Sequence, residues 1–152
     1  MTKATETNTT TATDPLAPNL PLTHTIDMQA LRKLGAKELH DLRDVLCTLS
    51  NVTTAFGCQP RFGGEDAWTM NGAGNLLDDL TDFLHVYELA VVNVATASTP
   101  VTAEDTKRRH WTILGYQADY PESLADCAVQ AAEAARDVAA AEFRERHSRA
   151  EA

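Results

Sequence analysis

The stretch from Asn75 to Ala97, NLLDDLTDFLHVYELAVVNVATA, is the most strongly patterned part of the chain. At about 100° per residue, most of its apolar side chains fall on one broad face of a helix. These are Leu76, Leu77, Leu80, Phe83, Leu84, Tyr87, Ala90, Val91 and Val94. Toward the C-terminal end, Val86, Leu89 and Val92 widen the apolar surface onto the polar side. A helix that is apolar nearly all round is central in a bundle or shared with a partner, so this segment predicts a central helix.

Length and composition bound what the chain can be. Its 152 residues suit one domain with a real core. The hydrophobic content of 43% is ordinary for a globular protein, whereas the aromatic content of 6% is low. The net charge of −9 disfavours binding to phosphate backbones and anionic lipids. No run reaches the roughly 18 apolar residues of a membrane span. We therefore expect no membrane association and argue against nucleic acid as a partner.

The N-terminal segment and the cysteines indicate the cellular setting. Residues 1–25 are rich in threonine and almost devoid of large apolar groups, which predicts a disordered tail. A partner-binding arm is the alternative, and the segment lacks the apolar core of a secretory signal. The three cysteines, Cys47, Cys58 and Cys127, are odd in number and form no CxxC pair, which favours reduced thiols in a cytoplasmic protein. Residues 26–148 are predicted to form the helical bundle domain.

A long helical pattern precedes the central segment. Asp27 is a suitable N-cap for a short helix, and Gly35 then interrupts the pattern. Residues 36–56 carry one apolar stripe that consists of Leu39, Leu42, Val45, Leu46, Leu49, Val52 and Phe56. The opposite side of this predicted helix holds Lys37, His40, Asp44, Cys47 and Asn51.

Two further helices are predicted after the central one, which should end near Ser98 because Pro100 follows. Thr102 and Asp105 have the spacing of a capping box for a helix that runs to about Ala118. The last helix is expected from about Pro121 to Arg146. Its predicted packing face is made of Leu124, Cys127, Ala128, Ala131, Ala135 and Val138. With no convincing strand, the chain predicts an all-α, single-domain bundle of about four main helices.

The connection between the two central helical patterns, residues 57–74, contains five of the seven glycines of the chain. A connection of this length without secondary structure is uncommon and is often functional. It also carries Phe62 and Trp68, whose rings either cap the open end of the bundle or contact a ligand or partner. The glycines do not match a P-loop, because no Lys-Ser or Lys-Thr follows them.

The polar side of the central helix offers a candidate metal site. Asp78, Asp82 and His85 lie at helical spacing, and carboxylates with an imidazole are ligands that bundles use for transition metals. The alternative is a solvated charged face, because no other helix supplies an Asp-x-x-His or Glu-x-x-His pair. The basic run Lys107–His110 radiates in several directions along a helix and therefore does not form one patch.

No enzyme or cofactor motif stands out: Gly-x-Ser-x-Gly, His-Glu-x-x-His and the dinucleotide fingerprint are all missing from the sequence. The favoured hypothesis is a non-catalytic, acidic helical protein that acts as a protein-interaction or oligomerisation module, without a cofactor. Its predicted partner is itself or another protein, and its predicted interface is Val86, Leu89 and Val92. The alternative is a small-molecule or metal-binding bundle that uses the polar face of the central helix and the glycine-rich loop.

Overall fold

The computed structural model describes residues 25–66, 69–121 and 123–151. The predicted disordered tail, up to residue 24, and Trp68 lie outside the described residues. The helices are α1 (Met28–Leu31), α2 (Ala36–Gly57), α3 (Gly72–Ala97), α4 (Ala103–Asp119) and α5 (Leu124–Ala150), with a 3₁₀ turn at Pro60–Phe62. Four of these helices are long, and the described part of the chain contains no strand beyond a single bridge between Gly63 and Met70. The prediction of an all-α fold with four main helices is confirmed.

Several predicted helix ends are confirmed by their caps. Asp27 Oδ1 accepts hydrogen bonds from the backbone N–H groups of Gln29 and Ala30 at the start of α1. Ser98 caps the C-terminus of α3, immediately before the Thr-Pro pair. Thr102 and Asp105 form the capping box of α4, in which each side chain bonds the backbone N–H of the other residue.

Two predicted starts were wrong. α3 begins at Gly72 and not at Asn75, because Asn71 is its N-cap: Asn71 Oδ1 accepts a hydrogen bond of 2.9 Å from the N–H of Gly74. α5 begins at Leu124, because Ser123 Oγ accepts from the backbone of the first turn, and Pro121 lies outside the helix. In both cases an asparagine or serine that satisfies free N–H groups defines the boundary.

α3 is the central helix, as predicted, and packs against α1, α2 and α4. It runs antiparallel to α2, because Ser50 meets His85 while the later Thr53 meets the earlier Thr81. The main core lies between these helices and α1. Its buried members are Leu31, Leu39, Leu46, Leu84, Ala90, Val91, Val94 and Ala95.

α5 packs mainly on α4 and buries little of its own surface. Only Ala134 and Ala141 are buried among its described residues, whereas Leu124, at the start of the predicted packing face, is exposed. The predicted packing face therefore differs from the buried one by a rotation of the helix. In an alanine-rich helix several faces have similar hydrophobicity, so a helical wheel does not distinguish the one that is buried. No helix in the described ranges combines the length and apolar content that crossing a membrane requires.

Candidate functional site

The apolar stripe of α2 does not coincide with the face that α2 buries. Its buried residues are Leu39, Arg43, Leu46 and Ser50, which include one charged and one polar side chain. Val45, Leu49, Val52 and Phe56 all remain exposed, although they belong to the apolar stripe that the sequence predicts for this helix. α2 is thus oriented so that Arg43 and Ser50 face the rest of the chain together with the two leucines, while four residues of its apolar stripe face outward.

The same displacement occurs on α3, and the two exposed stripes lie on one side of the α2–α3 pair. On α2, Val45 and Leu49 come immediately before the buried residues Leu46 and Ser50. On α3, Leu80 likewise comes immediately before the buried Thr81. One residue corresponds to about 100° of rotation, and in an antiparallel pair the same step turns both helices toward the same side.

We call this surface the hairpin face. It consists of Leu42, Val45, Leu49, Val52 and Phe56 on α2 with Leu76, Leu80, Phe83 and Tyr87 on α3. Leu42, Phe83 and Tyr87 are half-buried, and Leu42 and Tyr87 also pack against the main core, so they form the inner edge of the face. The other six side chains are exposed. None of the nine carries a charge. Single exposed apolar residues are normal on a protein surface, whereas the grouping of six exposed apolar side chains on two packed helices makes this face a candidate interaction site.

The residues predicted as the interface lie elsewhere on α3. Val86 and Leu89 are exposed, but Val92 is buried and lines a cavity between α3, α4 and α5. The chain's own helices therefore cover Val92, and only Val86 and Leu89 of this set are available to a partner. The hairpin face contains more exposed apolar residues than this set.

Beneath the hairpin face lies a cluster of charged groups between α2, α3 and α4. Arg43 Nε lies 2.8 Å from Glu88 Oε1, and the side chain of Glu88 is 0% exposed. The Arg43 guanidinium also donates a hydrogen bond to Asp119 Oδ2, at the end of α4. Neither Glu88 oxygen has an aligned hydrogen-bond donor among the described residues, so Arg43 and Glu88 attract each other mainly as charges. Burial raises the pKa of the Glu88 carboxyl, and the nearby Arg43 charge opposes this shift only in part.

Three groups of kinds that enzymes use in catalysis lie beside this cluster: the Cys47 thiol, the Ser50–His85 pair and the Tyr120 hydroxyl. The Cys47 thiol donates to Asp119 Oδ2 at 3.4 Å. Burial and this hydrogen bond raise the pKa of Cys47, which disfavours the nucleophilic thiolate. Ser50 Oγ lies 2.7 Å from His85 Nε2, yet Ser50 is buried between the helices. Burial raises the pKa of Tyr120 to about 12, and its ring packs edge-on against His85.

The structure does not assemble the predicted metal ligands. Asp78 and Asp82 are exposed, whereas His85 is turned toward Ser50 and Tyr120. Within the described residues, the metal-ligating atoms that lie within 4.8 Å of one another belong instead to Cys47, Glu88 and Asp119. Arg43 contacts both of those carboxylates and already supplies their positive charge. A Cβ on Gly115 would lie 2.7 Å from Arg43 Nη1, so the glycine leaves room for the guanidinium.

The glycine-rich connection is tied to the start of α3. The backbone N–H of Asn71 donates to Phe62 O at 2.9 Å, and its side-chain amide donates to Arg61 O at 2.7 Å. Phe62, one of the two predicted ligand-loop residues, is half-buried and lies beneath the Arg61 guanidinium at 4.9 Å. These contacts hold the described part of the connection against the N-terminus of α3.

A cavity of about 580 Å³ lies between α4, α5 and the end of α3. Its volume falls within the range of small-molecule sites. Its basic groups are already engaged: Arg109 donates to the backbone oxygens of Ala95 and Thr96, and His110 Nε2 lies 3.1 Å from Asp137 Oδ2. Among the described residues that line the cavity, both basic side chains are therefore already paired within the chain.

Sequence reasoning missed both the hairpin face and the Arg43–Glu88–Asp119 cluster. The cluster joins residues far apart in the chain, and no local pattern predicts it. The face had a signal, because the 3-4-3-4 spacing of its α2 residues can be read from the sequence.

The chain matches no protein-family model, no curated protein and no solved structure.

Proposed function

We propose that this chain is a non-catalytic helical interaction module that binds protein through the hairpin face. The observation that carries the proposal is the exposure of Val45, Leu49, Val52 and Phe56 beside Leu76 and Leu80 on one side of two packed helices. Covering these side chains removes apolar surface from water, which is the dominant favourable term in protein association.

The buried charges support the same function. A helix that needed only to stabilise its own chain would gain more by burying the apolar stripe than by burying Arg43 and Glu88, since desolvating charges is costly. The ion pair fixes α2 in the rotation that presents the stripe. We therefore assign the cluster a structural role in forming the hairpin face.

Site-specific photo-crosslinking tests this proposal. A photoreactive phenylalanine analogue at Leu49 in the full chain is expected to give a discrete adduct after irradiation in extract of the native cells. The control position is Val129 on α5, which is exposed and lies outside the hairpin face. Equal, diffuse labelling from the two positions, or no adduct from either, would overturn the proposal.

A further inference from the structure

The spacing of the hairpin face defines the shape of what covers it. On α2 the face residues are Leu42, Val45, Leu49, Val52 and Phe56, in steps of three, four, three and four. On α3 they are Leu76, Leu80, Phe83 and Tyr87, in steps of four, three and four. These are the steps of the a and d positions of a heptad, which pack against helices aligned at a shallow angle. A helical surface whose apolar side chains follow the same spacing is therefore complementary to this face.

The protein itself supplies such a surface. We infer that the hairpin face binds the hairpin face of a second copy, so that two α2–α3 pairs form an antiparallel four-helix bundle around a two-fold axis. This inference rests on the proposed function and names its partner. A two-fold contact requires only one self-complementary patch, and one apolar heptad surface is complementary to another.

The charges of the chain are compatible with this dimer. The chain carries a net charge of −9, so two copies repel each other, and a contact without charged side chains adds no close pairs of like charges to that repulsion. No Asp, Glu, Lys or Arg belongs to the hairpin face. The face is thus an uncharged surface on an acidic protein, and it lacks the basic or acidic groups that would select an oppositely charged partner.

The size of the face also suits a dimer. Fourteen residues separate Leu42 from Phe56, which corresponds to about 21 Å of helix. Two helices spaced about 10 Å apart present a surface roughly 20 Å wide. The projected area is then about 400 Å², to which the protruding side chains add, so the face corresponds to an interface at the small end of the range around the standard of roughly 800 Å² per partner.

Sedimentation equilibrium of the full chain tests the inference with a closely matched pair of variants. Val45, on the hairpin face, is 54% exposed, and Val129, on α5, is 57% exposed. Both lie within long helices, so Val45→Glu and Val129→Glu make the same chemical change at similar exposure. We expect twice the chain mass for the wild type and Val129→Glu, and the single-chain mass for Val45→Glu with its helical circular dichroism retained.

If Val45→Glu does not fold, substitutions of valine by threonine, which has nearly the same shape, test the same contact. Val45→Thr together with Val52→Thr keeps side-chain shape but places hydroxyls in the contact, and we expect its dimer dissociation constant to rise roughly tenfold or more. Val129→Thr should leave the dissociation constant unchanged.

A wild type that sediments as a single chain at every concentration would overturn the second-copy inference, as would equal masses for Val45→Glu and Val129→Glu. A single-chain wild type whose Leu49 crosslinks specifically to a different protein would overturn the inference and leave the proposed function standing. A single-chain wild type without such a crosslink would overturn both.

Discussion

Arg43 Nε lies 2.8 Å from Glu88 Oε1 in the interface between α2 and α3, while Val45, two residues along α2 from Arg43, is exposed. The chain thus buries a charge and leaves an apolar side chain outside. Buried ion pairs contribute little net stability, but breaking one is costly, so they specify an arrangement better than they stabilise it. We attribute the outward orientation of the hairpin face to this pair.

Removing the positive charge of Arg43 should destabilise the fold strongly. Arg43→Met leaves Glu88 buried without a positive charge, and we expect a loss of about 3–5 kcal/mol in the free energy of unfolding. Urea denaturation at one fixed protein concentration measures this loss. The double variant Arg43→Met with Glu88→Leu removes both charges and should recover most of the loss.

Asp119→Asn is the control for this experiment, because the Asp119 side chain is 42% exposed and its loss leaves the Arg43–Glu88 pair in place, so we expect a smaller loss than for Arg43→Met. If Arg43→Met costs no more than Asp119→Asn, the buried pair does not fix the rotation of α2.

The raised pKa of Glu88 should make stability depend on pH. An acid whose pKa is higher in the folded state binds more protons folded than unfolded, between the two pKa values. The stability that this group contributes is therefore fully present below its unfolded pKa and is lost as pH rises through the raised folded pKa. Relative to Glu88→Gln, which cannot titrate, the wild type should lose stability as pH increases above 4.5, the ordinary value, and then level off. Urea denaturation of both proteins across this pH range tests the prediction, and a constant difference would contradict it.

The thiol of Cys47 should react slowly. Its raised pKa keeps it protonated near neutral pH, so iodoacetamide should modify it more slowly than Cys58, which is exposed. Asp119→Asn removes the carboxylate that accepts the thiol hydrogen bond and should increase the rate at Cys47 alone. Mass spectrometry of timed digests measures both rates. A Cys47 that outpaces Cys58 would reopen a catalytic role for the thiol.

Gly74 should be required for the close approach of the glycine-rich connection to α3. A Cβ there would lie 2.6 Å from the backbone oxygen of Phe62, whereas a Cβ on Gly72 would meet nothing within 4 Å. We expect Gly74→Ala to cost about 1–3 kcal/mol through overpacking. Gly72→Ala should be neutral or slightly stabilising, because alanine favours helix more than glycine does. Similar thermal unfolding curves for the two variants would show that the connection adapts freely.

Local patterns predicted the helices well, because caps and periodicity are local properties. Asp27 and the Thr102–Asp105 box act as predicted. The start of α3 was predicted at Asn75 because Asn75 and Asp78 have the spacing of a capping pair, but Asn71, one turn earlier, accepts a hydrogen bond from the free N–H group of Gly74.

The rotation of α2 could not be predicted from its own sequence. A wheel shows that Val45 and Leu49 belong to an apolar stripe, but it cannot show whether the same chain or another molecule covers that stripe. The answer depends on Arg43 meeting Glu88 and Asp119, which are 45 and 76 residues away in the sequence. Such contacts emerge only when three helices are packed together.

Methyl NMR with a soluble paramagnetic agent tests most directly whether a second copy covers the hairpin face. The wild-type spectrum contains its own references: Val91 is 0% exposed, and Val129 is exposed on α5. If the dimer forms as described, the methyl groups of Leu49 and Val52 resist broadening as Val91 does, while those of Val129 broaden. If Leu49 and Val52 broaden as Val129 does at every protein concentration, no second copy covers the face.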